Sequence, residues 1–290
     1  MDVAYATCRD LPEPDFDEAP TLAALEKEGL TAGPLAWDDP SADFSQAKLT
    51  ILRATWNYPE EPQRFLAWLE KTAGVSDLWN PLAAIRWNLH KGYLLELEKA
   101  GVPVVPTVLV RNGDKRPLAD IVSERGWVDV VIKPAISAAS RLTVRADAQT
   151  MVRGEGHLRA LAAKEDVLIQ PYVASVDGYG ERALVWIDGE LTHAVRKSPR
   201  FLGQDESVTG PLPITGAEAD LARRAIALAP GPLLYARIDV APAPDGTPAI
   251  MEFELLEPSL FFPQHPPALE RFARAVARRV AALAAKLSQP

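Results

Sequence analysis

Residues 235–259 read YARIDVAPAPDGTPAIMEFELLEPS. Two alternating runs, Leu233–Ala241 and Thr247–Leu255, flank Asp245–Gly246, a strong two-residue hairpin signal. With that dipeptide as the loop, Asp239 falls opposite Glu252 and Arg237 opposite Glu254. Residues two apart on a strand share a face. The carboxylates of Asp239, Glu252 and Glu254 therefore crowd one face together with the Arg237 guanidinium. The prolines at 242, 244 and 248 work against this register, because each removes a backbone donor. Like charges set opposite one another destabilise a strand pair, and Arg237 can neutralise only one of the acids. A hard divalent cation such as Mg²⁺ takes oxygen ligands of this kind and completes its shell with substrate phosphates. A solvated, salt-bridged face is the plainer reading of any one of these charges. The set, framed by Ile238, Val240, Ile250, Met251, Phe253 and Leu255, favours a metal.

Outward from the hairpin, the chain divides by pattern into 1–80, 81–171 and 172–290. In the last segment, Glu181–Ile187 and Leu191–Lys197 form another hairpin around Asp188–Gly189. Residues 198–215 read as a long polar loop able to fold over a site. Helices follow near Ala217–Leu228 and Pro267–Leu287. The middle segment predicts a helix over His90–Ala100 and a strand over Val102–Val110. It also predicts a strand DVVIK over 129–133 with Arg141–Arg145 as its partner, a helical stretch Ala148–Lys164 interrupted by Gly154 and Gly156, and a strand VLIQPY over 167–172. The first segment alternates strand and helix: Asp2–Thr7, Glu18–Glu28, Lys48–Arg53 and Pro62–Lys71. That order predicts a small parallel sheet. Ligands sit beyond the C-terminal strand ends of such sheets, here at Cys8–Asp10 and Arg53–Tyr58.

The 290 residues carry a formal charge of −8 and 48% hydrophobic residues, which fits a globular chain and disfavours non-specific nucleic-acid binding. The 26 prolines are dispersed and read as stiff loops. Cys8, the single cysteine, makes no internal disulfide and suits a reducing compartment. No apolar run reaches the ~18 residues of a membrane helix, and a cytoplasmic location is expected. The four histidines are scattered, without metal spacing. Lys133 ends an apolar run, where an ammonium is costly unless an anion pairs with it. Small residues follow at Ala135–Ser140. Lys91, at the head of a helix, opposes the macrodipole. Each also reads as an ordinary lysine reaching solvent. No Walker-type loop is present.

In this order the pieces resemble the ATP-grasp superfamily over about residues 80–258, preceded by a small α/β domain. The fold implied is α/β with α+β lobes: an N-terminal substrate-side domain (1–80), an N-lobe (81–171) and a C-lobe with a metal site (172–290). HKGYLLELEKAGVPVVPT looks like the first lysine segment, with Lys91. DVVIKPAISAASR looks like the second lysine strand and phosphate loop, with Lys133. VLIQPYV looks like the hinge that holds adenine, here Gln170, Tyr172 and Val173. ERALVWIDGELTHAVRK resembles the strand pair after the hinge, with Glu181 and Lys197 facing nucleotide or substrate. ARIDV and IMEFE resemble the metal-binding pair, with Asp239 and Glu252 as ligands and Arg237 contacting phosphate. The sequence departs from the family in having Glu254 where asparagine is usual, and in a phosphate loop without glycine. Within the superfamily, RATWNY and MEFELLEPSLFF look closest to the branch containing the cyclo-ligase of D-cycloserine biosynthesis.

The resemblance implies an ATP- and Mg²⁺-dependent carboxylate–amine ligase working through an acyl phosphate, with Mn²⁺ as an alternative ion. Lys91, Lys133, Gln170, Tyr172, Val173 and Glu181 would bind nucleotide, and Asp239, Glu252 and Glu254 the metal. Arg237 and Lys197 would be catalytic. Arg53, Trp56, Asn57 and Tyr58 are the substrate-side candidates, with Arg53 suited to gripping a carboxylate and the two aromatics open to a packing role instead. The partners expected are small-molecule carboxylates and amines, not nucleic acid or membrane; homodimerisation is left open. Two other classes compete: a small-molecule kinase on the same scaffold, and a nucleotide-binding protein without catalysis.

Overall fold

The computed structural model describes residues 1–198, 207–243 and 245–287. The chain opens with β1 (Val3–Thr7), α1 (Glu18–Lys27), β2 (Ala32–Ala36), β3 (Leu49–Ala54), α2 (Pro62–Ala73) and β4 (Asp77–Leu78). Their strands form a parallel sheet in the order β2-β1-β3-β4. β1 and β3 are buried at every position, as parallel strands covered on both faces must be. β2 reads AGPLA and lies at the edge, where Pro34 costs no central ladder bond. The loops after β1 and β3 leave the same end of the sheet.

The chain continues through α3 (Leu82–Leu89), α4 (Tyr93–Lys99), β5 (Val108–Val110), α5 (Leu118–Arg125), β6 (Val130–Pro134), β7 (Val144–Ala146), α6 (Met151–Ala162) and β8 (Val167–Pro171). Its sheet is antiparallel, in the order β5-β8-β6-β7. Three expectations are corrected here. The helix expected from His90 starts at Tyr93, because His90 is extended (φ −107, ψ 118). Lys91 thus occupies the turn between α3 and α4. The strand expected over Val102–Val110 is confined to Val108–Val110, since Pro103 and Pro106 lack ladder donors; Val104 only bridges Ile250. The glycines of α6 do not interrupt it. A Cβ on Gly154 would come within 2.5 Å of the Ala146 side chain, so the glycine lets α6 lie directly on β7.

The last elements are α7 (Ser175–Gly178), β9 (Glu181–Ile187), β10 (Glu190–Lys197), β11 (Val208–Leu212), α8 (Gly216–Ile226), β12 (Tyr235–Pro242), β13 (Pro248–Glu254) and α9 (Pro266–Leu287). They contain an antiparallel sheet, β11-β10-β9-β12-β13. The expected loop 198–215 is corrected in part: β11 lies within it and pairs with β10. Residues 199–206 of that loop lie outside the described residues. One face of the sheet, with Ala183, Val185, Val195 and Tyr235, packs on Val3, Tyr5 and Ile51 and on Phe272 and Val276 of α9. The other, with Leu184, Ala194, Ala236 and Ile238, packs on Tyr93, Leu97 and Leu221. Each large apolar side chain buried this way contributes about 1.5–3 kcal/mol. Among the described residues, no helix is long and apolar enough to cross a membrane.

Candidate active site

The hairpin register places Arg237 opposite Glu254 and Asp239 opposite Glu252. The agreement with the sequence expectation arises from two deviations that cancel. Near the turn the pairing is displaced by one residue, with Val240 opposite Ile250 and Pro242 opposite Pro248. A bulge between Asp239 and Val240 then restores the register. One oxygen from each of Asp239, Glu252 and Glu254 lies within 4.8 Å of the others.

Cations bracket these acids. Arg237 donates from Nε to Asp239 Oδ1 at 2.9 Å and from Nη2 to Asp239 Oδ2 at 3.0 Å. The same Nη2 donates to Glu254 Oε1. Lys197 on β10 reaches across β9, with Nζ 2.7 Å from Asp239 Oδ2 and 2.6 Å from Glu181 Oε1. Gly180 permits this approach: its φ is +87°, and a Cβ there would sit 2.1 Å from the Lys197 carbonyl oxygen. Lys91 lies 2.5 Å from Glu252 Oε1 and donates to the Ser137 carbonyl at 2.7 Å.

These charges divide the acids. Burial alone would raise the Glu252 carboxyl, but Lys91 and then Lys133 outweigh it and hold it down to about 2. Burial likewise opposes the ionised Asp239, and Arg237 with Lys197 keeps that carboxyl below its ordinary value. At Glu254 burial wins; Arg237 offsets it only partly, Glu252 and Asp239 add repulsion, and the carboxyl is pushed up to about 8. Glu257 rises to about 7 through burial, against the pull of Lys91 and Arg237.

β13 is the edge of its sheet, yet its outer backbone groups are satisfied. Phe253 N donates to the Tyr93 hydroxyl at 3.0 Å, Leu255 N to Asn88 Oδ1 at 2.7 Å, and the Phe253 carbonyl accepts from Asn88 Nδ2 at 2.6 Å. Ile250 pairs with the backbone of Pro103 and Val105. The elements around Lys91 are thus fastened to the strand that carries Glu252 and Glu254.

A cavity opens over this face. Its walls include Trp56 and Tyr58, then Lys91, Lys133 and residues 137–140, then Lys197, Arg237, Glu252, Glu254, Glu257 and Ser259. The backbone of Lys133 pairs with β8, but its ammonium makes no hydrogen bond or ion pair with any described residue. Burial pushes its ammonium below the ordinary value, with Glu252 opposing and Lys91 reinforcing the shift. The loop after it turns without glycine by placing Ala139 (φ 48) and Ser140 (φ 56) in the left-handed region. Each such residue costs about 1–3 kcal/mol.

The remaining candidates lie outside the cavity wall. Arg53 is 1% exposed; its Nη2 donates to the Pro258 carbonyl at 2.7 Å and lies 3.6 Å from Asp17 Oδ2. Asn57 accepts from Trp37 Nε1 at 2.6 Å and donates to Asp38 at 2.8 Å. Gln170 is buried and donates to Thr107 Oγ1 at 2.9 Å. Tyr172 donates to Asp177 and lies under the Arg145 guanidinium, 3.5 Å from its ring centre. Val173 is half-buried just beyond β8. Glu181 meets the site through its ion pair with Lys197, and its charge also acts on Lys133. Ser137 lies in the expected phosphate loop, whereas sequence reasoning missed Glu13, Asn88, Tyr93, Glu257 and Ser259, which also line the cavity. None of these carried a distinguishing sequence signal; Glu257 is one more acid in ELLEPS.

The chain is similar to several known proteins. Residues 3–80 match the family model described as D-cycloserine synthetase DcsG, N-terminal domain. The cycloserine biosynthesis protein DcsG of Streptomyces lavendulae is 33% identical, over 92% of this chain and 94% of its own length. The crystal structure of D-cycloserine synthetase DcsG superposes with a TM-score of 0.89 at 31% identity, covering 97% of this chain and 100% of that one. The ATP-grasp ligase PsnB, in complex with minimal precursor, Mg and ADP, superposes with a TM-score of 0.65 at 16% identity, over 96% of this chain and 98% of that one. That last likeness concerns the fold.

Proposed function

The chain belongs to the cycloserine synthetase family of ATP-grasp proteins and is an ATP-dependent ligase, and we propose that it joins a carboxylate to an amine through an acyl phosphate. The observation that carries this reading is the meeting of the acidic triad, on one cavity wall, with Lys133, whose ammonium has no partner among the described residues.

The donor set fits a Mg²⁺–nucleotide. Three carboxylate oxygens within 4.8 Å suit a hard cation, and among the described residues no anion pairs with the half-buried Lys133 ammonium. Asp239, Glu252 and Glu254 would hold Mg²⁺, with Mn²⁺ as an alternative. When bound, the ion screens phosphate charge. Lys91 and Lys133 bind phosphate oxygens. Arg237 places a fixed guanidinium where charge develops during transfer. Lys197 orients Asp239. Gln170, Tyr172 and Val173 serve the adenine side and Glu181 the nucleotide rim, while Trp56 and Tyr58 shape the substrate wall. Arg53 and Asn57 support that wall from behind. Residues 1–80 form the substrate side, and 81–171 and 172–290 the two lobes around the nucleotide.

Phosphorylation turns the substrate carboxylate into an acyl phosphate. The amine then forms the new C–N bond, and phosphate departs. D-cycloserine, the product named for the relative, has an amide within its ring and a free primary amine. We extend the proposal to a ring-closing ligase whose acid and nucleophile lie in one small amino acid.

The test is ADP release from ATP and Mg²⁺ with a panel of aminooxy and ordinary amino acids, run with hydroxylamine. A ligase yields a hydroxamate along with ADP. ADP accompanied by a phosphorylated hydroxyl and no hydroxamate would establish a kinase instead.

A further inference from the structure

Glu257 stands apart from the triad. It follows β13, lines the cavity and is 6% exposed. No hydrogen bond or ion pair from another described residue reaches its carboxylate, whereas Asp239, Glu252 and Glu254 each have a cationic partner. Its own backbone N–H and the more distant charges of Lys91 and Arg237 offset its burial only in part, and a desolvated carboxylate with no cation in contact is costly to maintain.

The backbone around it is fixed from several directions. Trp56 Nε1 donates to the Glu257 carbonyl at 3.0 Å and Arg53 Nη2 to the Pro258 carbonyl at 2.7 Å. The Tyr235 hydroxyl lies between the Leu52 and Leu256 carbonyls, at 2.6 and 2.9 Å, and its one hydrogen is shared between them. Asp17 accepts from Leu260 N at 2.6 Å and Phe262 N at 3.0 Å. Residues whose own positions are locked in this way make a preorganised site. Trp56 and Tyr58 share its wall, and after burial Glu257 does more than the other acids to raise the Tyr58 phenol.

We propose that Glu257 binds the primary ammonium group of the amino-acid substrate and of its cyclic product, anchoring the part of the molecule that does not react. This rests on the ligase reading above. An organic cation fits the position better than a second metal. Trp56 and Tyr58 line the cavity with Glu257, and aromatic faces attract ammonium groups, while a hard metal seeks several oxygen donors. With its backbone pinned, the carboxylate meets the ammonium at little ordering cost.

The experiment compares D-cycloserine with isoxazolidin-3-one, the same ring without the amine. Each is titrated calorimetrically into wild-type protein and Glu257→Gln with Mg²⁺ and ADP present. A charge-assisted contact corresponds to about tenfold or more in affinity. The wild type is therefore expected to favour D-cycloserine by that factor, and the variant to bind the two rings within about threefold, with Mg²⁺–ADP affinity unchanged. A preference that survives in Glu257→Gln overturns the assignment, and so does a variant whose Mg²⁺–ADP affinity falls, which would make Glu257 a metal ligand. Wild-type protein that binds neither ring contradicts the cyclic product class, and the assignment falls with it; hydroxamate formation reports separately on the ligase reading. If Glu257→Gln does not fold, Glu257→Asp serves, with the expected result a D-cycloserine preference reduced but not lost.

Discussion

Lys197 Nζ lies 2.7 Å from Asp239 Oδ2, a contact that crosses β9 to join β10 to β12. Removing one partner of a buried ion pair costs about 3–5 kcal/mol when the other is left alone. Asp239 keeps Arg237 on both oxygens, so the loss should be smaller. Lys197→Met is expected to lower unfolding free energy by about 2 kcal/mol in urea and to cut turnover more than tenfold by misorienting Asp239. An unchanged urea midpoint would contradict this account of the contact.

Lys133 presents the opposite balance. Its half-buried ammonium has no described partner, so the folded protein carries a desolvation cost that a ligand phosphate would relieve. Lys133→Met is expected to weaken ATP binding by about 10–100-fold, the range of a charged hydrogen bond. Its urea midpoint should hold or rise. Lost stability with unchanged nucleotide affinity would give Lys133 a purely structural role.

Arg53 is expected to act on stability. Arg53→Met leaves Asp17 buried with only backbone donors and frees the Pro258 carbonyl. A loss of about 3 kcal/mol in urea unfolding is expected, with nucleotide affinity unaltered in the folded fraction. A raised substrate KM without loss of stability would instead mark Arg53 as a group that grips the substrate carboxylate.

His193 gives the fold an acid-side weakness. Burial holds its imidazole down to about 4, and the adjacent His265, with ring centres 4.9 Å apart, adds to the effect. An unfolded histidine titrates near ~6.5. Between these values the unfolded chain binds the proton and the folded one does not. Stability is therefore full above pH ~6.5, falls as pH drops toward 4, and changes no further from this group below that. The loss should reach roughly 2 kcal/mol at pH 5. His193→Gln should flatten urea-unfolding stability over this window; the same slope in the variant would assign it to other groups.

Local pattern made much of the metal face readable. Alternation put Arg237, Asp239, Glu252 and Glu254 on one side, and the bulge at Asp239 happened to cancel the displaced pairing near the turn. Contacts between distant segments were not readable. The Lys197–Asp239 pair depends on β9 lying between its strands. The burial of Arg53 depends on Asp17, which lies in a different loop. β2 carries little strand signal, because AGPLA holds a glycine and a proline that only an edge position tolerates. The turn at Ala139 and Ser140 was hidden because left-handed backbone is expected of glycine. Glu257 was passed over because nothing in ELLEPS distinguishes an acid at the cavity wall from one in solvent.

The central claim is that Asp239, Glu252 and Glu254 hold a cation that carries the nucleotide. Calorimetric titration of ADP with and without Mg²⁺, into wild-type protein and Glu252→Gln, tests it most directly. Mg²⁺ should tighten ADP binding to the wild type by about tenfold or more and leave the variant indifferent to the metal, with both proteins folded. A Glu252→Gln protein that keeps the full Mg²⁺ enhancement would contradict it.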